Sequence, residues 1–254
     1  MNTDNIDNIK KKLEKYSDPE VFTFNEEKHE YRIKGEKFTS VTQFLSKFHK
    51  PFEKDYWSEK KAKERGIEKE EILKEWQEIN DRANFLGTST HNWIENYFKK
   101  LYTELPTDLE VIERINKFNI LYAKHLHKLT PISLEQKIFS ENLKLAGMVD
   151  GLFLHKGDVY IIDYKTNKKF TDDSDKHFEN LLPPFDDLPK NHLNEYSIQL
   201  SLYALILKEV DIYVKNMFLV YIPQKGQSKI IKAKNFIERL ENYFSENNIK
   251  NKQR

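Results

Sequence analysis

Residues 21–38 (VFTFNEEKHEYRIKGEKF) alternate apolar and polar positions on either side of Asn25–His29. Because successive strand side chains face opposite ways, this pattern predicts a β-hairpin. Ser40-Val41-Thr42-Gln43 then has the form of a capping box and predicts a short helix through Phe44, Leu45 and Phe48. From Tyr56 to Leu101 the apolar spacing becomes three to four, so helix is expected, with breaks near Gly66 and at Gly87-Thr88. The stripe Leu86, Thr90, Trp93, Ile94, Tyr97, Phe98 and Leu101 gives the last piece one core-facing side, with His91 and Glu95 beside it. A further helix is expected over about Leu109 to Leu129, stopped by Pro131.

Beyond that point the period falls to two. Ile132–Phe139, Lys144–Leu154, Val159–Thr166 and Met217–Ile222 predict strands, and a helix of about Asn194 to Glu209 separates the last two. That helix is apolar on nearly every side, so it should be buried against the sheet. Between Phe170 and Lys190 lies a long polar stretch, and loops of that length are usually functional or disordered. The elements together predict an α/β fold. With 254 residues and no Gly-, Ser- or Pro-rich linker, one domain is expected over 1–254. Residues 1–130 would supply the hairpin and a helical part, and 131–254 the sheet core and a C-terminal helix.

Composition narrows the chemistry. At 13% aromatic residues the chain is too rich in ring side chains for a disordered protein, although 33% of it is charged. Lys plus Arg (42) nearly cancels Asp plus Glu (41), so attraction to a polyanion has to come from local patches. The segment holding Lys47, Lys50, Lys60, Lys61, Lys63 and Arg65, and the stretch from Lys225 to Arg254, are locally basic and read first as solvated faces. Tyr56, Trp57 and Trp76 are suited to stacking on unpaired bases, but core packing of their helices is the expectation. The absence of cysteine removes disulfides, thiolate zinc sites, iron–sulfur clusters and cysteine nucleophiles together. No apolar run approaches the ~18 residues that span a bilayer, and the first twenty residues are polar, so an intracellular protein is expected.

The stretch from Ala146 to Thr166 carries the chemistry. If Lys156-Gly157 is the two-residue turn of a hairpin, paired residue numbers sum to 313, and Asp150 faces Asp163. Directly opposed side chains on one face have Cβ atoms ~5 Å apart, where two carboxylates repel unless a cation lies between them. Lys165 shares that face with Asp163, while Leu152, Leu154, Val159 and Ile161 make the rest of it apolar. A closed salt bridge of Lys165 with one aspartate is the competing explanation, but it leaves the second carboxylate unexplained. Hard oxygen ligands favour Mg²⁺ or Mn²⁺, which suits phosphodiester hydrolysis, with the lysine orienting water or neutralising developing charge.

Gly147-Met-Val-Asp150 and Ile162-Asp163-Tyr164-Lys165-Thr166 resemble the second and third motifs of the PD-(D/E)XK nuclease superfamily, in its RecB-like branch. Gln199 and Tyr203 fit that branch's Q-x-x-x-Y signature, and Gly87-Thr-Ser-Thr-His91 followed by Glu95 resembles its histidine motif. Ser40-Val41-Thr42 is similar to the opening segment of standalone phage and mitochondrial single-strand DNA exonucleases. The resemblance implies a restriction-endonuclease-like core, a central mixed β-sheet flanked by helices with N-terminal helical additions. It also implies a metal held by His91, Asp150, Asp163 and the main-chain carbonyl of Tyr164, with Lys165 as the catalytic lysine. Gln199 would hold Lys165 or a phosphate, Tyr203 would line the site, Thr166 would contact the scissile phosphate, and Ser40 and Thr42 would meet the substrate. The roles of Glu135 and Glu95 stay open.

The resulting expectation is a Mg²⁺- or Mn²⁺-dependent exonuclease acting on single-stranded DNA ends in replication, repair or recombination. Its helical segments and the Phe170–Lys190 loop would form a channel or lid. Relatives with an iron–sulfur cluster or a fused motor are set apart by the lack of cysteine and of a Gly-x-x-x-x-Gly-Lys-Ser/Thr loop, so no ATP is expected, and a separate helicase or polymerase is a conceivable partner. The alternatives are a structure-specific or restriction-type endonuclease and a non-catalytic nucleic-acid-binding subunit. A cytoplasmic location is expected, with a mitochondrial or phage-encoded origin left open.

Overall fold

The computed structural model describes residues 2–25, 28, 30–101, 104–175 and 179–252. Among these residues eight strands form one sheet: β1 (Phe22–Asn25), β2 (Glu30–Ile33), β3 (Glu36–Ser40), β4 (Thr130–Ser140), β5 (Leu145–His155), β6 (Asp158–Lys165), β7 (Val214–Tyr221) and β8 (Lys229–Lys232). The helices are α1 (Asn2–Leu13), α2 (Val41–Leu45), α3 (Lys54–Arg65), α4 (Lys69–Lys99), α5 (Leu109–Leu121), α6 (His192–Lys208) and α7 (Ile237–Lys252). No described helix is long and apolar enough to cross a membrane.

The alternation over 21–38 folds as three strands where a single hairpin was expected. Its second turn is Lys34-Gly35, with φ of 50° and 80°, and the turn of the β5–β6 hairpin, Lys156-Gly157, repeats the same dipeptide with φ of 51° and 88°. Both are two-residue turns whose positive φ values match strand twist. The first turn of the N-terminal meander falls partly on residues 26, 27 and 29, outside the described residues.

The expected break at Gly87 is also absent. A glycine inside a helix costs only about 1 kcal/mol relative to alanine, and α4 offsets it by burying Ile72, Leu86, Thr90 and Ile94 along one side. Gly66 does end α3, in the left-handed conformation that glycine adopts freely. The next helix stops at Leu121, and a wider turn through Tyr122–Leu126 follows. Pro131 sits inside β4, where it is tolerated because β4 pairs with β5 alone. Strand β8, four residues long, is too short for its sequence to show a pattern.

The sheet mixes parallel and antiparallel pairs and branches at β5. One edge of β5 is covered along almost its whole length by antiparallel β4. The other edge is shared: parallel β3 meets it at Leu145 and Ala146, and antiparallel β6 meets it from Gly151 to His155. Between these two contacts, around Asp150, the strands fork, and β6 continues to Lys165 paired only with parallel β7.

Each face of the sheet is covered. On one, Leu152, Leu154, Val159, Ile161 and Leu219 pack in a cluster with residues of α1, α2, α6 and α7. On the other, Phe153, Ile162, Tyr164 and Val220 pack with Ile94 of α4 and with Phe118 and Leu121 of α5. The middle and end of α6 are buried all round, as its composition requires. The described part of the Phe170–Lys190 loop is fastened to the core instead of forming a lid. Leu181 and Phe185 are buried, Phe185 meets the rings of Phe48 and Phe236 edge-on at 5.0 and 5.5 Å, and Asp187 pairs with Arg239 at 2.6 Å.

Candidate active site

The fork in the sheet creates the site. The β5–β6 register keeps the sum of 313 from His155–Asp158 to Gly151–Ile162, and its last registered pair stops one step short of Asp150 and Asp163. Where the ladder opens, the Asp150 carboxylate replaces a backbone acceptor: Oδ2 accepts the N–H of Tyr164 at 2.8 Å. Such a bond leaves the other carboxylate oxygen free for a ligand. Gly147, three residues before, is required by packing. A Cβ there would lie 2.6 Å from Cε1 of Tyr203, so only glycine lets that ring lie against β5.

Two further groups converge on Asp150. Nδ1 of His91 lies 3.4 Å from Asp150 Oδ2, and the imidazole meets the Tyr164 ring edge-on at 5.9 Å. Glu135 arrives from β4, whose register with β5 sets it across from Asp150, between the Leu134–Gly151 and Gln136–Val149 pairs. Its φ of 46° takes it out of the ladder into the left-handed region that a non-glycine residue seldom occupies. One ligand atom each from His91, Glu135 and Asp150 lies within 4.8 Å of the other two. Burial, and then the charges of Asp150, Glu95 and Asp163, push the Glu135 carboxyl up to about 8. An imidazole and two carboxylates crowded this way fit a hard divalent cation, which would relieve the repulsion that raises Glu135.

Lys165 and Asp163 lie behind this group. Asp163 is 2% exposed, and its Oδ2 is 2.8 Å from Lys165 Nζ. Burial raises its carboxyl to about 6 although Lys165 opposes the shift. For Lys165 burial acts to lower the pKa, but Asp163 and Asp150 together outweigh it, so the group stays an ammonium above its ordinary range. Nζ also donates to Oε1 of Gln199 at 3.3 Å and sits 4.3 Å from the centre of the Tyr196 ring. Nε2 of Gln199 in turn donates to Tyr203 Oη at 3.0 Å, so a single line of contacts on α6 holds the lysine.

A cleft of about 1180 Å³ opens onto these groups, walled by α4 from Glu75 to Asn92, by Glu110 and Arg114 of α5, and by Glu135, Asp150, Tyr164–Lys168, Tyr196 and Gln224. The expected site residues His91, Asp150, Tyr164, Lys165 and Thr166 line it. Asp163, Gln199 and Tyr203 are buried beside it, while Ser40 and Thr42 lie away from its walls. The Ser40 hydroxyl is engaged in capping α2, accepting the Gln43 N–H at 3.0 Å and contacting Thr42 Oγ1 at 3.0 Å. Tyr196, three residues before Gln199 on α6, belongs to no motif that the sequence displays, although helical spacing places it on the same side. Arg82 and Arg114 gave no sequence signal either, because their approach to the cleft depends on how α4 and α5 pack.

Residues 28–252 match the family model of the PD-(D/E)XK nuclease superfamily. The chain belongs to that superfamily. No curated protein sequence matches it. Membership makes this PD-(D/E)XK protein a nuclease-type hydrolase with DNA as the implied substrate and divalent metals as the family's cofactors. The eight-stranded mixed sheet with helices on both faces is consistent with the restriction-endonuclease-like fold.

Proposed function

We propose that this PD-(D/E)XK protein is a Mg²⁺- or Mn²⁺-dependent deoxyribonuclease of the RecB-like kind, an exonuclease that works at single-stranded DNA ends during replication, repair or recombination. The observation that carries the reading is the convergence of His91, Glu135 and Asp150 beside Lys165 in one cleft. In this reading those three residues hold the ion, with Asp163 and the Tyr164 carbonyl next to it. When bound, the ion lowers the pKa of a coordinated water and stabilises charge on the phosphorus-centred transition state. Lys165, kept charged by Asp163, neutralises the negative charge that grows on the scissile phosphate. Gln199 and Tyr196 fix the ammonium so that no reorganisation is needed at that moment, and Thr166 at the cleft wall hydrogen-bonds the phosphate.

Digestion of end-labelled linear single strands, circular single strands and duplexes, each with Mg²⁺, Mn²⁺ or EDTA, tests the proposal. Metal-dependent loss of linear single strand, with circles resistant, is expected. Circles cut as fast as linear strands would make the protein an endonuclease. Binding without cleavage in every metal would leave a nucleic-acid-binding subunit.

A further inference from the structure

The wall of the cleft nearest the α3–α4 connection is built from residues that neither the carboxylate cluster nor Lys165 uses. Phe52, just before α3, is 66% exposed and lies 6.0 Å, ring centre to ring centre, from Trp76 on α4. Ile79, one turn further along α4, is 67% exposed and is itself part of the cleft wall, followed by Arg82 and Ala83. On α3, Tyr56 and Trp57 are exposed as well, with Lys60 Nζ 5.0 Å from the Trp57 ring centre. The expectation that these aromatic residues serve as core is thus reversed for Tyr56 and Trp57, while Trp76 is half-buried. Helix α3 buries only Ser58 and Ala62, and ion pairs tie it to α4, Arg65 with Glu75 and Lys69 with Asp55 and Glu59.

An apolar strip that runs from solvent into a nuclease cleft has one chemically matched occupant. Duplex DNA keeps its base faces stacked inside and shows only base edges in its grooves, so it offers Phe52, Trp76 and Ile79 no ring face to cover. An unpaired strand offers base faces. On the same wall Glu75 is paired with Arg65 and Glu78 lies 4.0 Å from Lys74, so the acids there are compensated and the apolar strip is what remains for bases to cover. We propose that Phe52, Trp76 and Ile79 form a stacking platform on which the bases of an unpaired strand lie as that strand enters the cleft. The inference rests on the nuclease reading for the identity of the cleft, and it assigns Phe52, Trp76 and Ile79 a role in selecting single strands.

Tryptophan fluorescence of the full chain in EDTA, titrated with oligothymidylate and with a duplex of equal length, reads binding without requiring cleavage. Quenching by the single strand and none by the duplex is expected. Phe52→Ser and Ile79→Ser change exposed side chains, and unchanged melting temperatures establish that both variants fold. Each should weaken oligothymidylate binding and raise KM on single strands about ten-fold, the size of a lost base stack, while altering duplex KM less than two-fold. Equal weakening for both substrates, no change for either, or self-association that disappears in Phe52→Ser overturns the platform. A wild-type protein that quenches with oligothymidylate but never cleaves with Mg²⁺ or Mn²⁺ supports the platform and sinks the nuclease reading instead.

Discussion

Asp150 and Asp163 stand one step beyond the last pair of a single hairpin, yet their surroundings differ in almost every respect. Asp150 opens to the α4 side, takes a backbone N–H and an imidazole as neighbours, and lines the cleft. Asp163 is buried toward the α6 side, and the ammonium of Lys165 faces it. In the proposed reading, Asp150 serves chiefly as a ligand for a metal cation, while Asp163 also pairs with a cation already supplied by the protein. Two like carboxylates placed together by one turn therefore serve different electrostatic purposes, set by which helix packs over each.

The sharpest way to break this division is to remove one charge from each side. Asp150→Asn and Lys165→Met should each slow single-turnover digestion by about a thousand-fold or more, the scale on which pre-positioned charge acts in a water-poor site. Equal metal titrations for the two variants would refute the division, because only Asp150→Asn should weaken metal binding. Next in size, Glu135→Gln should raise the Mn²⁺ concentration for half-maximal activity at least about ten-fold, a loss typical of groups that bind or orient at a metal site. Manganese binding followed by electron paramagnetic resonance checks this directly, and an unaltered titration removes Glu135 from the cation side.

On the α6 side, Gln199→Leu frees Lys165 from its only side-chain amide partner among the described contacts. A drop of about ten-fold in kcat with an unchanged metal titration is expected, within the usual cost of misplacing a catalytic group. The smallest effect concerns stability. Glu135 near 8 and Asp163 near 6 both lie above the unfolded carboxylate range, so the folded, metal-free protein keeps protons that the unfolded chain has released. Their contribution is full below about pH 4 and is lost as pH rises through 6 and then 8. Without metal the melting temperature should fall by about 3 °C or more between pH 5.5 and 8.5, and Mg²⁺ or Mn²⁺ should restore it at the alkaline end. Calorimetry that finds no such slope, or no recovery with metal, would place the charge burden elsewhere.

Residues close in sequence were the readable ones. The Lys156-Gly157 turn fixed the 313 register, the Ser40–Gln43 capping box formed, and the all-round apolar helix is buried as α6. Gly87 reads locally as a helix break, but burial along α4 outweighs its local cost. The Lys34-Gly35 turn is harder to read than its twin at Lys156-Gly157, since the Glu30–Ile33 strand before it is only four residues long. Glu135 illustrates a deeper limit. Its acid was visible in the chain, but its positive φ and its place opposite Asp150 arise only when β4 has paired.

By itself the sequence determined which side chains carry charge, the register of one hairpin and the periodicity that makes each element, because these depend on neighbours within a few residues. Tertiary structure decided where the sheet forks, which helix covers each aspartate and that Phe52 and Ile79 remain in solvent on either side of a half-buried Trp76. Those outcomes depend on competition among surfaces far apart in the chain, and no local pattern records which of them wins.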